Sequence, residues 1–294
     1  MLYARCSMPS RSPLGIWLAV VAILIAVSST QIGAAFGKRI FPITGPIGAV
    51  SLRLMLACLI LIIVFRPWHT LAGPVRWRPL ILYGMALGGM NLMFYLAINR
   101  IPLGVGVALE FMGPLTVAVA NSRRPRDWLY VALAVTGVAI LLPFHRNAAP
   151  LDGLGVAFAL MGGAFWAAYI IFGQKVSLTI SSGAATAIGM SIACVLIVPL
   201  GVMELGATMF SPAVLPVSLV VAVLSSALPY TLEMVAMKRL PARTFSILMS
   251  TEPASAAVSG FLILGERLTL SQWLAIGCIM AASIGSSLSA RDRR

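Results

Sequence analysis

The sequence predicts an all-α integral membrane protein of ten transmembrane helices, arranged as two inverted five-helix repeats (5+5) with both termini cytoplasmic. Three observations carry that prediction. The composition is too apolar for a water-soluble chain, ten apolar windows have membrane-spanning length, and a motif recurs 139 residues downstream of itself.

Only 10% of the residues are charged, 60% are hydrophobic, and the mean hydropathy is +0.99. A soluble domain carries about 25% charged residues, so lipid must be the solvent for much of this surface. A span takes about 20 residues, and ten spans with short loops fill 294 residues, leaving little for a separate soluble domain. The chain opens on the polar stretch MLYARCSMPSRSP. The apolar run after it is too long for a signal-peptide core and is expected to remain as the first span.

The apolar windows fall at 15–36, 46–65, 79–98, 102–121, 127–143, 152–172, 183–203, 214–236, 242–264 and 270–290. Proline punctuates their ends at Phe41-Pro42, Arg66-Pro67, Ile101-Pro102 and Leu240-Pro241. Backbone in hydrocarbon must satisfy its own hydrogen bonds, and the alternation of a barrel strand is absent, so the windows are helices. Basic residues set the orientation. Of the 21 Lys and Arg, fifteen lie in the tails, loops and window edges of one side, five in the loops of the other, and Arg53 lies deep inside a window. Both termini belong to the basic side, which is expected to be cytoplasmic.

The net charge of +13 does not indicate nucleic-acid binding, because the basic residues are scattered among loops and form no basic face. Cys6, Cys58, Cys194 and Cys278 have no CxxC spacing, and the last three sit in apolar runs as core or lipid-facing fillers. Neither a metal site nor a cofactor is expected. His69 and His145 lie in loops, which leaves no histidine proton relay.

Residues 97–102, Ala-Ile-Asn-Arg-Ile-Pro, match residues 236–241, Ala-Met-Lys-Arg-Leu-Pro. The register persists from Leu109 to Leu248, Pro114 to Pro253, Ala118 to Ala257 and Val119 to Val258. Five spans per half invert the second half relative to the first. Inverted repeats are a recurring transporter architecture, because two similar halves offer inward- and outward-facing packings of nearly equal energy, with the substrate site between them near the midplane.

Residues 87–125, LGGMNLMFYLAINRIPLGVGVALEFMGPLTVAVANSRRP, and 228–269, which include Glu252-Pro253 and Leu264-Gly-Glu-Arg-Leu-Thr269, resemble the drug/metabolite transporter superfamily, EamA branch. The similarity covers roughly 14–290 and within the branch runs to amino-acid exporters of the threonine and homoserine type. The resemblance implies EamA-type repeats at 14–143 and 151–290, a bacterial inner-membrane location, export of small amino acids, and coupling to the proton gradient. Export of other amino acids, purines or drug-like amines remains the alternative. Self-association as a homodimer is compatible with the sequence.

Ionisable side chains within hydrocarbon demand a partner or a wet cavity. Arg53, Glu110 and Glu252 lie about 11, 12 and 15 Å inside their spans at 1.5 Å per residue, in one central slab. An amino-acid zwitterion presents one carboxylate and one ammonium, which suit an arginine and a carboxylate respectively. Glu110 is the candidate proton carrier, since a carboxyl partly withdrawn from water can exchange its proton during a transport cycle. A purely structural pairing of Arg53 with either glutamate is the competing reading. Glu252 precedes Pro253, which frees a backbone carbonyl.

Gln31, Asn91, Tyr95, Trp166, Tyr169, Tyr230 and Ser250 surround the slab. Gln31 and Asn91 suit a substrate hydroxyl, or bonds between helices. Trp166 and Tyr169 share a helix face and suit a cavity wall, or core packing. Glu233, near the cytoplasmic end of its span, is a candidate gate or an anchor toward Lys238 or Arg239. Glu266 and Arg267 are expected to be solvated in a loop. Gly84-x-x-x-Gly88 allows close helix approach. The chain holds no HExxH, GxSxG or P-loop, which argues against an enzyme and against an ATP-driven pump.

Overall fold

The computed structural model describes residues 13–71, 76–120, 127–141, 151–177, 179–206, 211–212, 214–237, 240 and 242–289, and among these it is helical without strands. The first-half helices are α1 (Pro13–Arg39), α2 (Phe41–Phe65), α3 (Trp68–Leu71), α4 (Trp77–Ile98), α5 (Leu103–Glu110), α6 (Met112–Ala120) and α7 (Asp127–Leu141). Then follow α8 (Gly153–Ser177), α9 (Ser182–Leu205), α10 (Leu215–Ala222), α11 (Leu228–Met237), α12 (Ala242–Met249), α13 (Glu252–Ser259) and α14 (Leu270–Ser289). A π-helical turn, Val223–Ala227, joins α10 to α11, and a second, Gly260–Leu264, extends α13.

Six stretches are long and apolar enough to cross a bilayer, in α1, α2, α4, α8, α9 and Ile247–Leu264; four shorter apolar stretches lie at Leu103–Val117, Trp128–Leu141, Leu215–Ala227 and Leu270–Gly285. Many large apolar side chains are exposed, while several charged and polar ones are buried among the helices. Val195 and Met203 are 74% and 84% exposed, whereas Arg53 is 6% exposed. That inversion is what a lipid solvent requires.

Two windows are interrupted as helices. α5 and α6 are separated at Phe111, and α12 and α13 at Ser250–Thr251, in each case three residues or fewer before a proline, Pro114 or Pro253. A proline lacks the N–H that would close onto the fourth residue before it. The carbonyls released are those of Glu110 and Met249.

α2 begins at Phe41, earlier than its apolar window, because it bends at Gly45 (φ 62°, ψ 168°) ahead of Pro46. The bend leaves the Gly48 N–H without a helical acceptor, and Glu204 Oε2 from α9 takes it at 2.9 Å. Gly45 is required here, since its backbone conformation is closed to side-chain residues and a Cβ would stand 2.5 Å from Glu204 Oε1. Gly45→Ala is expected to destabilise the fold by about 1–3 kcal/mol, read as a lowered melting temperature in detergent; an unchanged midpoint would contradict the strain.

Glycine sets the helix spacing elsewhere. A Cβ on Gly84 would stand 2.6 Å from Ile192, and one on Gly88 3.3 Å from Ala193, so this pair faces α9. Gly89 faces Phe165 of α8. α4 thereby lies in a groove between α8 and α9. The other main pairings are α1 with α11, α2 with α9, α5 with α13, and α7 with α14.

Candidate functional site: a charged cavity within the bundle

A cavity of about 600 Å³ lies among α1, α2, α4 to α6, α8 and α11 to α14. Arg53, Glu110, Glu233 and Glu252 all line it. Gln31, Asn91, Trp166 and Tyr169 line it as well. One guanidinium and three carboxyl groups from four different helical stretches therefore converge on one space, although the chain separates the outermost two by about 200 residues.

Arg53 stands on α2 facing the π-turn of Val223–Ala227. Its Nε donates to Ser226 Oγ at 3.3 Å and its Nη2 to the Ser225 carbonyl at 3.4 Å. That carbonyl belongs to a π-turn, a feature frequent at functional sites. The guanidinium also sits over the Tyr95 ring, 5.4 Å from its centroid. Tyr95 is fully buried and forms a layer behind Arg53, so its part is to support the guanidinium and not to line the cavity.

Glu110 ends α5. Its placement follows from glycine contacts: Gly162 and Gly163 of α8 press on the Glu110 side chain and carbonyl, at 3.0 and 2.7 Å from where their Cβ atoms would be. Glu110 lies close enough to Glu252 and Arg53, and Glu233 to Glu252, for their charges to act on one another. Glu252 begins α13 and accepts from Gln31 Nε2 at 3.0 Å through Oε1.

Several buried polar atoms have no hydrogen-bond partner among the described residues: Gln31 Oε1, Tyr95 Oη, Glu110 Oε1 and Glu252 Oε2. Such atoms are rare in folded proteins and call for water or a ligand. Three of them are carbonyl-type acceptors around one cavity, the complement of an ammonium group.

Asn91 donates to the Leu87 carbonyl of its own helix at 2.8 Å, which leaves its amide oxygen for the cavity. Trp166 packs edge-on against Phe111, and Tyr169 stacks on Tyr83 with ring centroids 4.9 Å apart and a hydroxyl contact of 3.3 Å. These aromatics form a wall. Ser250 is one step back, bonded to Ser283 at 2.7 Å. Glu233 is half-buried. The Tyr230 side chain and the whole of Lys238 and Arg239 lie outside the described residues.

Sequence reading placed Glu266 in solvent, and here the structure corrects it. Its Oε1 lies 2.6 Å from Lys38 Nζ, its Oε2 accepts the Leu103 N–H at 2.7 Å, and its side chain is 15% exposed. Lys38 also donates to the Ile101 carbonyl at 2.9 Å. The missed signal was Gly265, whose left-handed φ of 69° caps the preceding helix and turns the chain so that Glu266 returns over Gly260. A second ion pair, Arg100 to Asp152 at 2.8 Å, is exposed. Its hydrogen bond holds the Asp152 carboxyl below the usual carboxylate range, with help from the Leu154 and Gly155 N–H groups. The depressed folded value means the pairing is present at neutral pH and is lost only as pH falls through that value.

A bundle of apolar helices around a charged, partly unsatisfied cavity of ligand size defines a membrane-embedded carrier of small molecules. The chain belongs to the EamA-like transporter family, which residues 153–288 match. It is 50% identical over 277 residues to the threonine/homoserine exporter RhtA of Escherichia coli (strain K12), covering 94% of this chain and 93% of that protein. It is likewise 50% identical over 283 residues to RhtA of Salmonella typhimurium (strain LT2), covering 96% and 95%. An uncharacterized transporter of Bacillus subtilis, YwfM, is 26% identical over 74% of this chain and 76% of its own. A crystal structure at 14% identity shares the fold, with a TM-score of 0.60 over 96% of this chain and 100% of that one.

Proposed function

We propose that this protein is a secondary exporter of small hydroxylated amino acids of the threonine and homoserine type, driven by the proton gradient and working by alternating access. The observation that carries this reading is the meeting of Arg53, Glu110 and Glu252 at one cavity with unpartnered oxygens on both glutamates. The substrate carboxylate is drawn to the Arg53 guanidinium, which lines the cavity. The ammonium takes Glu252 Oε2 and Gln31 Oε1, and the hydroxyl takes the Asn91 amide. Glu110 carries the proton. Because Glu110 and Glu252 interact, a cation or proton arriving at one lowers the repulsion felt by the other, which couples substrate and proton physically. The 50% identity to exporters named for threonine and homoserine supports the substrate class.

The same reading takes 14–143 and 151–290 as inverted five-helix repeats in a bacterial inner membrane, termini in the cytoplasm. Several features support it. The two interrupted helices, at Phe111 and Ser250, stand at the 139-residue offset of the motif. The pairings α2 with α9 and α7 with α14 each join counterparts and α5 with α13 joins the two interrupted spans, while α4 with α8 and α1 with α11 exchange when the halves are swapped.

Counterflow in proteoliposomes tests the substrate. Unlabelled threonine or homoserine trapped inside is expected to drive uptake of radiolabelled threonine at least tenfold above protein-free vesicles, with adenosine and a hydrophobic amine inactive. Exchange driven by adenosine or the amine alone would reassign the protein to another substrate of the family.

A further inference from the structure

The cavity has unequal ends. At 1.5 Å per helical residue, Ala34 and Val107 lie about 6 Å below Lys38 and Leu103, whereas Glu233 lies about 27 Å beyond the start of α10. The cavity thus begins one turn beneath the Lys38–Glu266 contact and continues to the opposite end of the bundle, where Gln174 and Glu233 line it. Neither Lys38 nor Glu266 lines it.

We propose that Lys38 and Glu266 form a latch that closes this end of the cavity and must part in every transport cycle. Their network ties three places together: the last turn of α1, the α4–α5 connection through the Ile101 carbonyl and Leu103 N–H, and the turn before α14. Lys38, Ile101 and Leu103 come from residues before 143 and Glu266 from residues after 151, so relative rocking of the two halves breaks both bonds to Glu266 at once, while the Lys38–Ile101 bond lies within the first half. This step rests on the alternating-access reading above.

The chemistry suits a contact that must be reversible. A fully buried pair leaves a stranded charge when it parts, which makes separation very unfavourable. Lys38 and Glu266 retain 19% and 15% side-chain exposure at the end of the bundle, so water can replace each protein partner as the end opens. Opening also frees the Leu103 N–H at the α4–α5 connection, which sits at the same boundary and can hydrate, while Lys38 keeps the Ile101 carbonyl as a partner. The arrangement is built for tight closure. Gly260 leaves no room for a side chain, its Cβ position being 2.5 Å from Glu266 Oε2, and Gly104 lies against Ala257 at 2.7 Å. The exposed Arg100–Asp152 pair at this end adds little, as such pairs do.

The test uses the full chain with its natural cysteines replaced by serine and a reporter cysteine at Thr30 in the cavity. A membrane-impermeant maleimide is applied to right-side-out and inside-out vesicles. A separate Asp152→Cys variant reports which vesicles present the latch face. Glu266→Gln and Lys38→Met are each expected to raise reporter labelling from that face at least fivefold. A Lys38→Cys/Glu266→Cys pair joined by a bifunctional thiosulfonate is expected to abolish that labelling and, reversibly on reduction, threonine counterflow. Single variants that lower the melting temperature yet leave sided labelling unchanged would show a merely structural bridge and overturn the latch. So would a cross-linked protein that still exchanges substrate. Sided labelling that changes as expected in a protein that never carries threonine keeps the latch and rejects the substrate assignment.

Discussion

In proteoliposomes with an imposed proton gradient, Glu110→Gln is expected to lower threonine efflux at least tenfold, about 1.4 kcal/mol of transition free energy, while threonine–threonine counterflow persists. The glutamine matches the glutamate in shape and keeps an oxygen where Glu110 Oε1 stands unpartnered, so no protein hydrogen bond of that atom is lost. Its contacts with Gly162 and Gly163 remain. What disappears is the ability to take up and release a proton. Gradient-driven movement needs that exchange, whereas counterflow needs only a site that opens alternately to each side. Equal loss of both activities in a folded variant would place Glu110 on the substrate and leave Glu252 as the proton carrier. Unchanged gradient-driven efflux would remove Glu110 from the mechanism. The comparison requires equal insertion, measured by fluorescence-detected size exclusion.

Gly113→Ala is expected to have the largest effect on stability, about 3 kcal/mol or somewhat more, at the upper end of overpacking substitutions. The added methyl would fall on the backbone carbonyl of Gly163, which cannot swing aside as a side chain can. Movement of α6 away from α8 would also displace the break at Phe111 and the Glu110 carboxyl held beside it. Loss of monodisperse protein, or a melting temperature lowered by many degrees, is the expected reading. Gly277→Ala is the control. It lies within α14 with nothing inside 4 Å of its Cβ position, so it should gain about 1 kcal/mol from helix propensity alone. If Gly113→Ala melts with the parent, the close approach of α6 and α8 is not needed for folding.

Together these substitutions separate two demands on one region. Gly113 and Gly163 let two helix backbones touch and Gly162 leaves room for the Glu110 carboxyl, and together they set where that carboxyl sits. Truncating the carboxyl tests chemistry, and adding a methyl tests placement.

Much of the candidate site is legible in the sequence. An ionisable side chain inside an apolar window has few ways to exist in hydrocarbon, so Arg53, Glu110 and Glu252 stood out from hydropathy alone. The structure brings them to one cavity with Gln31, Asn91, Trp166, Tyr169 and Glu233. Tyr95 was legible as central, yet its place behind Arg53 was not, because the sequence does not say which aromatic faces the space and which backs the guanidinium. Glu266 was misjudged for a related reason. A glutamate after a helix-ending glycine normally meets water, and nothing near it in the chain announces a lysine 228 residues away.

The sequence by itself determined the solvent, the helical windows and the identity of the buried charges, because all three follow from local composition and from the demand that backbone in lipid bond to itself. Tertiary structure alone decided the partners: Gln31 with Glu252, Arg53 with the Ser225–Ser226 turn, Glu204 with the bend at Gly45, and Lys38 with Glu266. Each joins distant parts of the chain across helix contacts whose spacing is set at particular glycines. Hydropathy sums along a chain, and such contacts exist only between chains of atoms already packed side by side.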